Sequence, residues 1–157
     1  MKAKFFLLLI FFFFLPESAS SQEAVNPLEK AQVLIDSGKA EEAYNLLKPY
    51  QASLEGEPAF DYVFALAAQD SGRTVEAIFA LERVVDTFPD HGPARAELAK
   101  AYLSLGETDD AKKEFEKARE LENIPPEARQ TIDRYLSGIE LFHDRTRLTV
   151  RPWVALA

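Results

Sequence analysis

Apolar and small side chains return at fixed positions along this chain, with a period of 34 residues. The clearest markers are three pairs of a glycine and an alanine, Gly38/Ala43, Gly72/Ala77 and Gly106/Ala111. Other apolar residues follow the same period in two files, Leu34/Ala68/Tyr102 and Leu47/Leu81/Phe115. A fixed period of this length is typical of a helical repeat array, whose stacked helix pairs form extended concave binding surfaces.

Alignment on the glycines divides the chain into three units, residues 24–56, 57–90 and 91–123. Each unit is predicted to begin with a helix, at residues 27–37, 59–71 and 93–105, which a glycine in the left-handed conformation closes. Second helices are predicted at residues 40–48, 74–88 and 108–121. We expect the second helix of the first unit to end or kink near Leu47, because Pro49 removes a backbone hydrogen bond there.

Alanines at facing positions indicate how the two helices of a unit pack. One set precedes the glycines by seven residues and the other follows them by five: Ala31, Ala65 and Ala99, then Ala43, Ala77 and Ala111. Small side chains at both places let the helices of a hairpin approach closely without overpacking.

A further helix is predicted after the repeats, within residues 124–142, because Pro125 and Pro126 precede a new apolar pattern. Its apolar positions follow helical spacing: Ala128, Ile132, Leu136 and Ile139. One face of this helix is expected to cover the end of the array, since a terminal repeat has no neighbour on that side. From Arg145 polar and apolar residues alternate, which predicts a short strand-like tail within residues 143–157.

The recurring residues resemble those of tetratricopeptide repeat proteins. The third unit matches best, through Leu98, Ala99, Tyr102, Gly106, Ala111, Phe115 and Ala118. The second matches through Phe64, Ala65, Gly72, Ala77, Leu81 and Pro89. The first keeps Ala31, Leu34, Gly38, Ala43 and Leu47. The resemblance implies an all-α fold, in which three helix hairpins form a short right-handed solenoid with a C-terminal capping helix.

The resemblance also implies a binding groove. In tetratricopeptide proteins the concave surface is lined by first-helix residues that point away from the second helix. Carried onto this chain, these are Leu28, Gln32, Ile35 and Asp36, then Tyr62, Leu66, Gln69 and Asp70, then Lys100, Leu103 and Ser104. Such a lining suits an extended or helical peptide segment, with Tyr62 as the strongest anchor, because aromatic residues dominate binding energy at interfaces. A clamp for a C-terminal carboxylate is not expected, since Lys100 is the one basic residue of the set.

The N-terminus is predicted to be a secretory signal peptide, at residues 1–21. Lys2 and Lys4 precede an apolar run at residues 5–15, which Pro16 and several small residues follow. The run is about half as long as a membrane-spanning helix. Cleavage is expected after Ser20 or Ser21, and a bacterial periplasm is the favoured destination, with eukaryotic secretion as the alternative.

The tail adds a second resemblance. Its alternation, with Trp153 near the end, resembles the first strand of an outer-membrane β-barrel. Together with the signal peptide and the repeats, it resembles the periplasmic N-terminal domain of surface lipoprotein assembly modifiers, with the barrel missing. This implies a location at the outer membrane, with membrane contact only through a missing or partial barrel. It also implies a protein or peptide partner such as a lipoprotein or an envelope-assembly factor. The alternative is a freestanding repeat protein with a disordered or edge-docking tail.

Charge and composition exclude several functions. The net charge of −8 argues against nucleic-acid binding, which needs a basic face. The chain has no cysteine, no glycine-rich phosphate loop and no serine elbow, and its two histidines, His91 and His143, are interpreted as surface residues. Paired carboxylates such as Glu41/Glu42 are interpreted as solvated helix faces. No catalytic residue, metal site or cofactor is therefore predicted, and the oligomeric state stays open.

Overall fold

The computed structural model of the chain describes residues 26–122 and 124–149, with side chains up to residue 145. In these ranges eight α-helices follow one another: α1 (Pro27–Asp36), α2 (Ala40–Leu47), α3 (Gln51–Leu54), α4 (Pro58–Asp70), α5 (Thr74–Thr87), α6 (Gly92–Ser104), α7 (Thr108–Glu120) and α8 (Pro126–Thr149). A 3₁₀ turn at Lys48–Tyr50 joins α2 to α3. The predicted signal peptide lies outside the described residues.

Three helix hairpins, α1/α2, α4/α5 and α6/α7, form the array that the sequence predicts. The first helix of each is closed by a glycine with positive φ, 73° at Gly38, 82° at Gly72 and 80° at Gly106. Residues with a Cβ rarely adopt this left-handed conformation, so the glycines set where each hairpin turns. The prediction of an all-α fold is confirmed for the described residues.

Alanines bring the two helices of each hairpin together, also as predicted. All six alanines of the repeat period are completely buried: Ala31, Ala43, Ala65, Ala77, Ala99 and Ala111. Because none of these side chains is longer than a methyl group, the helices approach closely and larger residues fill the spaces around them.

The hairpins stack so that the first helices form one layer and the second helices the other. In the first layer α4 contacts both α1 and α6, while α2 packs on α4, α5 on α6 and α7 on α8. A first core cluster centres on Phe60, Phe64 and Leu81 and reaches into α6. A second cluster joins Phe115 of α7 to α8, and Tyr102 packs against both clusters. The core therefore runs along the array rather than around one centre.

Pro49 ends the second helix of the first hairpin where the sequence predicts. Helix α2 stops at Leu47, and the chain continues through the 3₁₀ turn into the four-residue helix α3. The first hairpin is consequently shorter in its second helix than the other two.

Helix α8 corrects the prediction for the tail. Its residues Ile132, Leu136 and Ile139 are buried against α7, as expected of a capping helix. However, α8 runs to Thr149 instead of ending at residue 142, so the strand-like tail is wrong over residues 143–149. A helix satisfies its backbone hydrogen bonds internally, whereas a lone strand needs a partner strand. The remainder of the tail, residues 150–157, lies outside the described residues.

None of the helices in the described ranges combines the length and apolarity needed to cross a membrane.

Candidate binding groove

The α1 part of the predicted groove is apolar below and polar at its surface. Leu28 and Ile35 are half-buried and pack against the first core cluster. Gln32 donates from Nε2 to Oδ1 of Asp36 over 2.9 Å, and Asp36 is exposed. The two apolar residues therefore serve the core as well as the groove, and the polar pair is what a partner would meet.

Tyr62 dominates the α4 part of the groove. It is half-buried, packs against the first core cluster, and its ring centroid lies 5.0 Å from that of His91. Burial raises the pKa of the Tyr62 phenol, and the negative charge of Glu97 raises it further. Leu66 is half-buried on the same helix and Asp70 is exposed. Helix α4 thus offers an aromatic and an aliphatic surface next to the exposed carboxylate of Asp70.

Gln69, also on α4, carries an unsatisfied polar atom. Its Oε1 is buried and accepts no hydrogen bond from any described residue. An acceptor left in this state costs about 1–3 kcal/mol of desolvation, and most buried polar atoms have a partner for that reason. Oε1 of Gln69 therefore carries a desolvation cost that no other described residue offsets.

The α6 part of the groove contributes one cation, which is already paired. Nζ of Lys100 lies 2.6 Å from the carboxylate of Glu97, which is one turn earlier on the helix. Leu103 packs against the second core cluster, and Ser104, which is exposed, donates to the carbonyl of Ala101 over 2.7 Å. The salt bridge removes most of the positive potential that Lys100 would otherwise present to an acidic ligand.

A cavity of about 690 Å³ opens between α6, the α7–α8 connection and α8, and is called here the α6–α8 cavity. Its lining comes from α6 and the residues before it, from the end of α7 and the connection, and from α8: Asp90, His91, Gly92, Pro93, Ala96, Glu97 and Lys100, then Phe115, Leu121, Ile124 and Pro125, then Glu127, Ala128, Thr131, Ile132 and Tyr135. Of the eleven residues predicted for the groove, Lys100 alone lines this cavity.

His91 connects the α4 surface to the α6–α8 cavity. The backbone N–H of Ala94 donates to His91 Nδ1 over 3.0 Å, so the side chain caps the start of α6. With Nδ1 accepting, the neutral ring carries its proton on Nε2. His91 is half-buried between Tyr62 and the cavity that it lines, which corrects its interpretation as a surface residue.

Aromatic stacking builds one wall of the α6–α8 cavity. The rings of Phe115 and Tyr135 lie 4.8 Å apart between centroids with an interplanar angle of 11°. Phe115 is buried in the second core cluster, while Tyr135 is 38% exposed and presents its ring to solvent. Because Phe115 and Tyr135 come from α7 and α8, this wall exists only when the capping helix is docked.

Carboxylates predominate among the charged residues around the cavity. Asp90, Glu97 and Glu127 line it together with Lys100. Glu97 pairs with Lys100, and neither Asp90 nor Glu127 forms a salt bridge with any described residue. The rim is therefore net negative at neutral pH. No group of three His, Cys, Asp or Glu side chains in the described ranges is arranged to hold a metal ion.

Comparison with known proteins agrees with this architecture. Residues 68–137 match the model of the tetratricopeptide repeat family, and no curated protein matches the chain. The type III secretion translocator chaperone SycD of Yersinia enterocolitica is similar, with 21% identity and a TM-score of 0.68, over 75% of this chain and 83% of that one. SycD in complex with a peptide of the translocator YopD gives 20% identity and a TM-score of 0.64, over 74% and 92%.

The TPR domain of Sgt2 from Aspergillus fumigatus is similar as well, with 18% identity and a TM-score of 0.67 over 83% of this chain and 85% of that one. At such identities the likeness shows the fold alone. The fold of the described residues is that of an all-α tetratricopeptide repeat solenoid.

Proposed function

We propose that this protein is a non-enzymatic interaction module, which binds a segment of a polypeptide partner along the face formed by α1, α4 and α6. The observation that carries the proposal is the arrangement of Tyr62 beside His91, a residue that also lines the α6–α8 cavity. It combines aromatic and aliphatic anchors with a cavity of about 690 Å³, a size typical of binding pockets. The complex of SycD with a YopD peptide supports this use of the fold.

Gln69 fits the same function. Its unpartnered Oε1 needs a hydrogen-bond donor, and the backbone N–H groups of an extended segment supply such donors. Binding would then remove a cost that the free protein carries, once the amide rotates to meet the partner.

The proposed location is the periplasm, at the outer membrane. It rests, for export, on the predicted signal peptide at residues 1–21, whose basic start, apolar run and small residues are in the sequence, and, for the outer membrane, on the alternating residues 150–157. Cell fractionation with and without residues 1–21 tests it: the full chain should be processed and exported, and the shortened chain should stay in the cytoplasm.

The binding function is tested by affinity capture from envelope extracts, with the full chain as bait. A Tyr62→Ala/Leu66→Ala variant should lose the partner, because it removes the two largest α4 side chains of the groove. The matched control is Val75→Ala/Phe79→Ala, which removes two exposed apolar residues of α5, in the other layer of helices. Circular dichroism verifies that both variants keep their helices. Retention of the partner by the folded groove variant would contradict the assignment.

A second candidate is the periplasmic arm of an outer-membrane system that exports surface lipoproteins. It rests on the signal peptide and on the alternating residues 150–157, since α8 has taken residues 143–149 out of that pattern. The capture experiment separates the candidates. Groove-dependent recovery of lipoproteins would favour the export arm, whereas recovery of envelope-assembly factors or cell-wall enzymes would favour a general scaffold.

A further inference from the structure

We propose that the α6–α8 cavity selects a basic partner segment, in which a large apolar side chain enters the cavity and flanking Lys or Arg residues pair with the carboxylates of its rim. This inference rests on the proposed function and names the class of ligand for the same surface. The segment is defined by its chemistry, which is one apolar anchor between cations.

The wall of the cavity provides the site for the apolar anchor. Phe115 and Tyr135 stack there, and Leu121, Ile124 and Ala96 line the same space. Tyr135 is 38% exposed although it stacks on a buried ring, so an entering side chain would cover apolar surface that the free protein leaves in water. The volume of about 690 Å³ accommodates one large side chain together with the backbone on either side.

The balance of charges at the rim of the cavity favours a segment that carries cations. The ammonium group of Lys100 is 2.6 Å from Glu97, so the pair is neutral. Asp90 and Glu127 have no ion-pair partner among the described residues and remain as two negative charges. Further along the face, the exposed carboxylate of Asp70 continues the same sign. A segment that carries cations is attracted to such a rim, and an acidic segment is repelled.

The apolar wall and the negatively charged rim of the cavity act together. The charge of the chain as a whole is −8, which attracts any cation weakly from a distance. Selection for this site requires that the cations flank an anchor that fits the cavity, since surface charge pairs alone contribute little affinity. The test must therefore vary anchor and charge separately.

Three blocked, fluorescently labelled peptides provide the probes for the purified full chain. The first has one tryptophan between two pairs of lysines, the second replaces the lysines by glutamates, and the third replaces the tryptophan by alanine. Fluorescence anisotropy at physiological ionic strength, where charges are screened over about 8 Å, should give at least about tenfold tighter binding for the first peptide than for either of the others.

Two variants locate the binding in the cavity. Asp90→Asn/Glu127→Gln should weaken the lysine–tryptophan peptide by about five- to tenfold, because each removed charge pair contributes a fraction of the affinity. The matched control, Asp86→Asn/Asp144→Asn, makes the same change of charge at exposed carboxylates outside the cavity and should leave the affinity unchanged. Ala128→Trp places a ring into the cavity from an exposed position of α8 and should abolish preference for the tryptophan anchor.

Each remaining outcome counts against the proposal. Equal or tighter binding of the glutamate peptide would refute the charge selection. Unchanged binding to Ala128→Trp would show attraction by surface charge alone. If none of the peptides binds while the Tyr62/Leu66 variant still loses its captured partner, the ligand class is wrong and the proposed function stands. If the captured partner is also retained by that variant, both fail.

Discussion

At the scale of single residues, two ion pairs of opposite polarity join the helices within the second and third hairpins. Asp61 of α4 is 1% exposed. It accepts two hydrogen bonds from Arg83 of α5, over 2.9 Å from Nε and over 2.7 Å from Nη2. Arg95 of α6 donates from Nη1 to Glu114 of α7 over 2.6 Å. The acidic partner is on the first helix in one hairpin and on the second helix in the other.

Removal of Arg95 from its buried ion pair with Glu114 should lower the stability of the protein strongly. Arg95→Ala should lower the free energy of unfolding by about 3–5 kcal/mol, because Glu114 would stay in a buried site with the half-exposed Lys117 as its one remaining salt-bridge partner among the described residues. Arg95 also donates from Nε to the Pro89 carbonyl over 2.6 Å, and that bond disappears too. Urea denaturation followed by circular dichroism measures the change.

The matched control is an exposed pair of similar length. Lys113 lies 2.8 Å from Asp110, with side chains 65% and 48% exposed. Lys113→Ala should cost less than about 1 kcal/mol, as exposed pairs do. A loss of that small size for Arg95→Ala would show that the buried pair is solvated in solution.

These pairs were not predictable from the sequence. Asp61 and Arg83 are 22 residues apart, and Arg95 and Glu114 are 19 apart. A charged residue on an amphipathic helix is interpreted as solvent-facing unless its partner is known, and the partner lies on another helix. In contrast, the buried alanines were predictable because their recurrence every 34 residues marks a common geometric requirement.

At the scale of elements, backbone conformation decides what each glycine contributes. Gly72→Ala should lower stability by roughly 1–2 kcal/mol, because a Cβ at φ 82° is strained even though nothing lies within 4 Å of it. Gly138→Ala, inside α8 and equally unobstructed, should raise stability by roughly 0.5–1 kcal/mol, since alanine loses less entropy in a helix. Thermal denaturation of the two variants should give shifts of opposite sign, and a shared sign would contradict the conformational assignment.

Glu76 links α5 to α2 and makes their contact dependent on pH. Its carboxylate accepts from Lys48 Nζ over 2.7 Å and from Tyr44 Oη over 3.0 Å. The bond from Lys48 first, and that from Tyr44 after it, hold the pKa of Glu76 below its usual value of 4.5. Since the pKa is lower in the folded state, the stabilisation is complete above the unfolded value and is lost as the pH falls through the folded one.

Glu76→Gln should therefore destabilise the protein at pH 7 and match the wild type more closely near pH 3. The difference at pH 7 should stay below about 1 kcal/mol, because 46% of Lys48 and 38% of Glu76 are exposed to solvent. Urea denaturation at both pH values measures it, with Glu120→Gln as an exposed control. A difference that does not shrink on acidification would mean that the carboxylate charge is not what stabilises this contact.

The end of α8 shows where element prediction failed. Alternation at residues 145–149 is compatible with a strand, yet those residues continue a helix that begins at Pro126. No glycine or proline interrupts residues 139–151, and Ile132, Leu136 and Ile139 already hold the helix on α7. The continuing helix then needs no further partner for its backbone, which a short alternating pattern cannot reveal.

At the scale of the molecule, the part that α8 plays in forming the α6–α8 cavity explains which residues of the candidate site could be predicted from the sequence. The choice of its α1, α4 and α6 residues comes from the resemblance to tetratricopeptide repeats, and the period of 34 residues relates them, because equivalent positions of each first helix share a face. The α6–α8 cavity does not follow, since α8 departs from the period: Asp133 stands where the repeat would place the alanine seen at Ala31, Ala65 and Ala99. Tyr135 and His91 enter the site only through the docking of that helix and the cap of α6.

The division of the core into two clusters predicts that the array does not unfold uniformly. Leu136 is 5% exposed in the second cluster, and Leu136→Ala should cost about 2–5 kcal/mol there, by transfer energy and the cavity it leaves. Because contacts in a repeat array are mostly between neighbours, amide hydrogen exchange should accelerate in α7 and α8 while α1, α2 and α4 stay protected. Phe64→Ala, in the first cluster, should accelerate exchange in α1, α2 and α4 instead.

If both variants raise exchange equally in every helix, Tyr102 and α6 couple the clusters into one cooperative unit, and the α6–α8 cavity opens only when the whole protein unfolds. If the pattern is local, the wall of the cavity opens before the rest of the protein, and a bound segment should slow exchange in α8 more than in any helix of the first cluster.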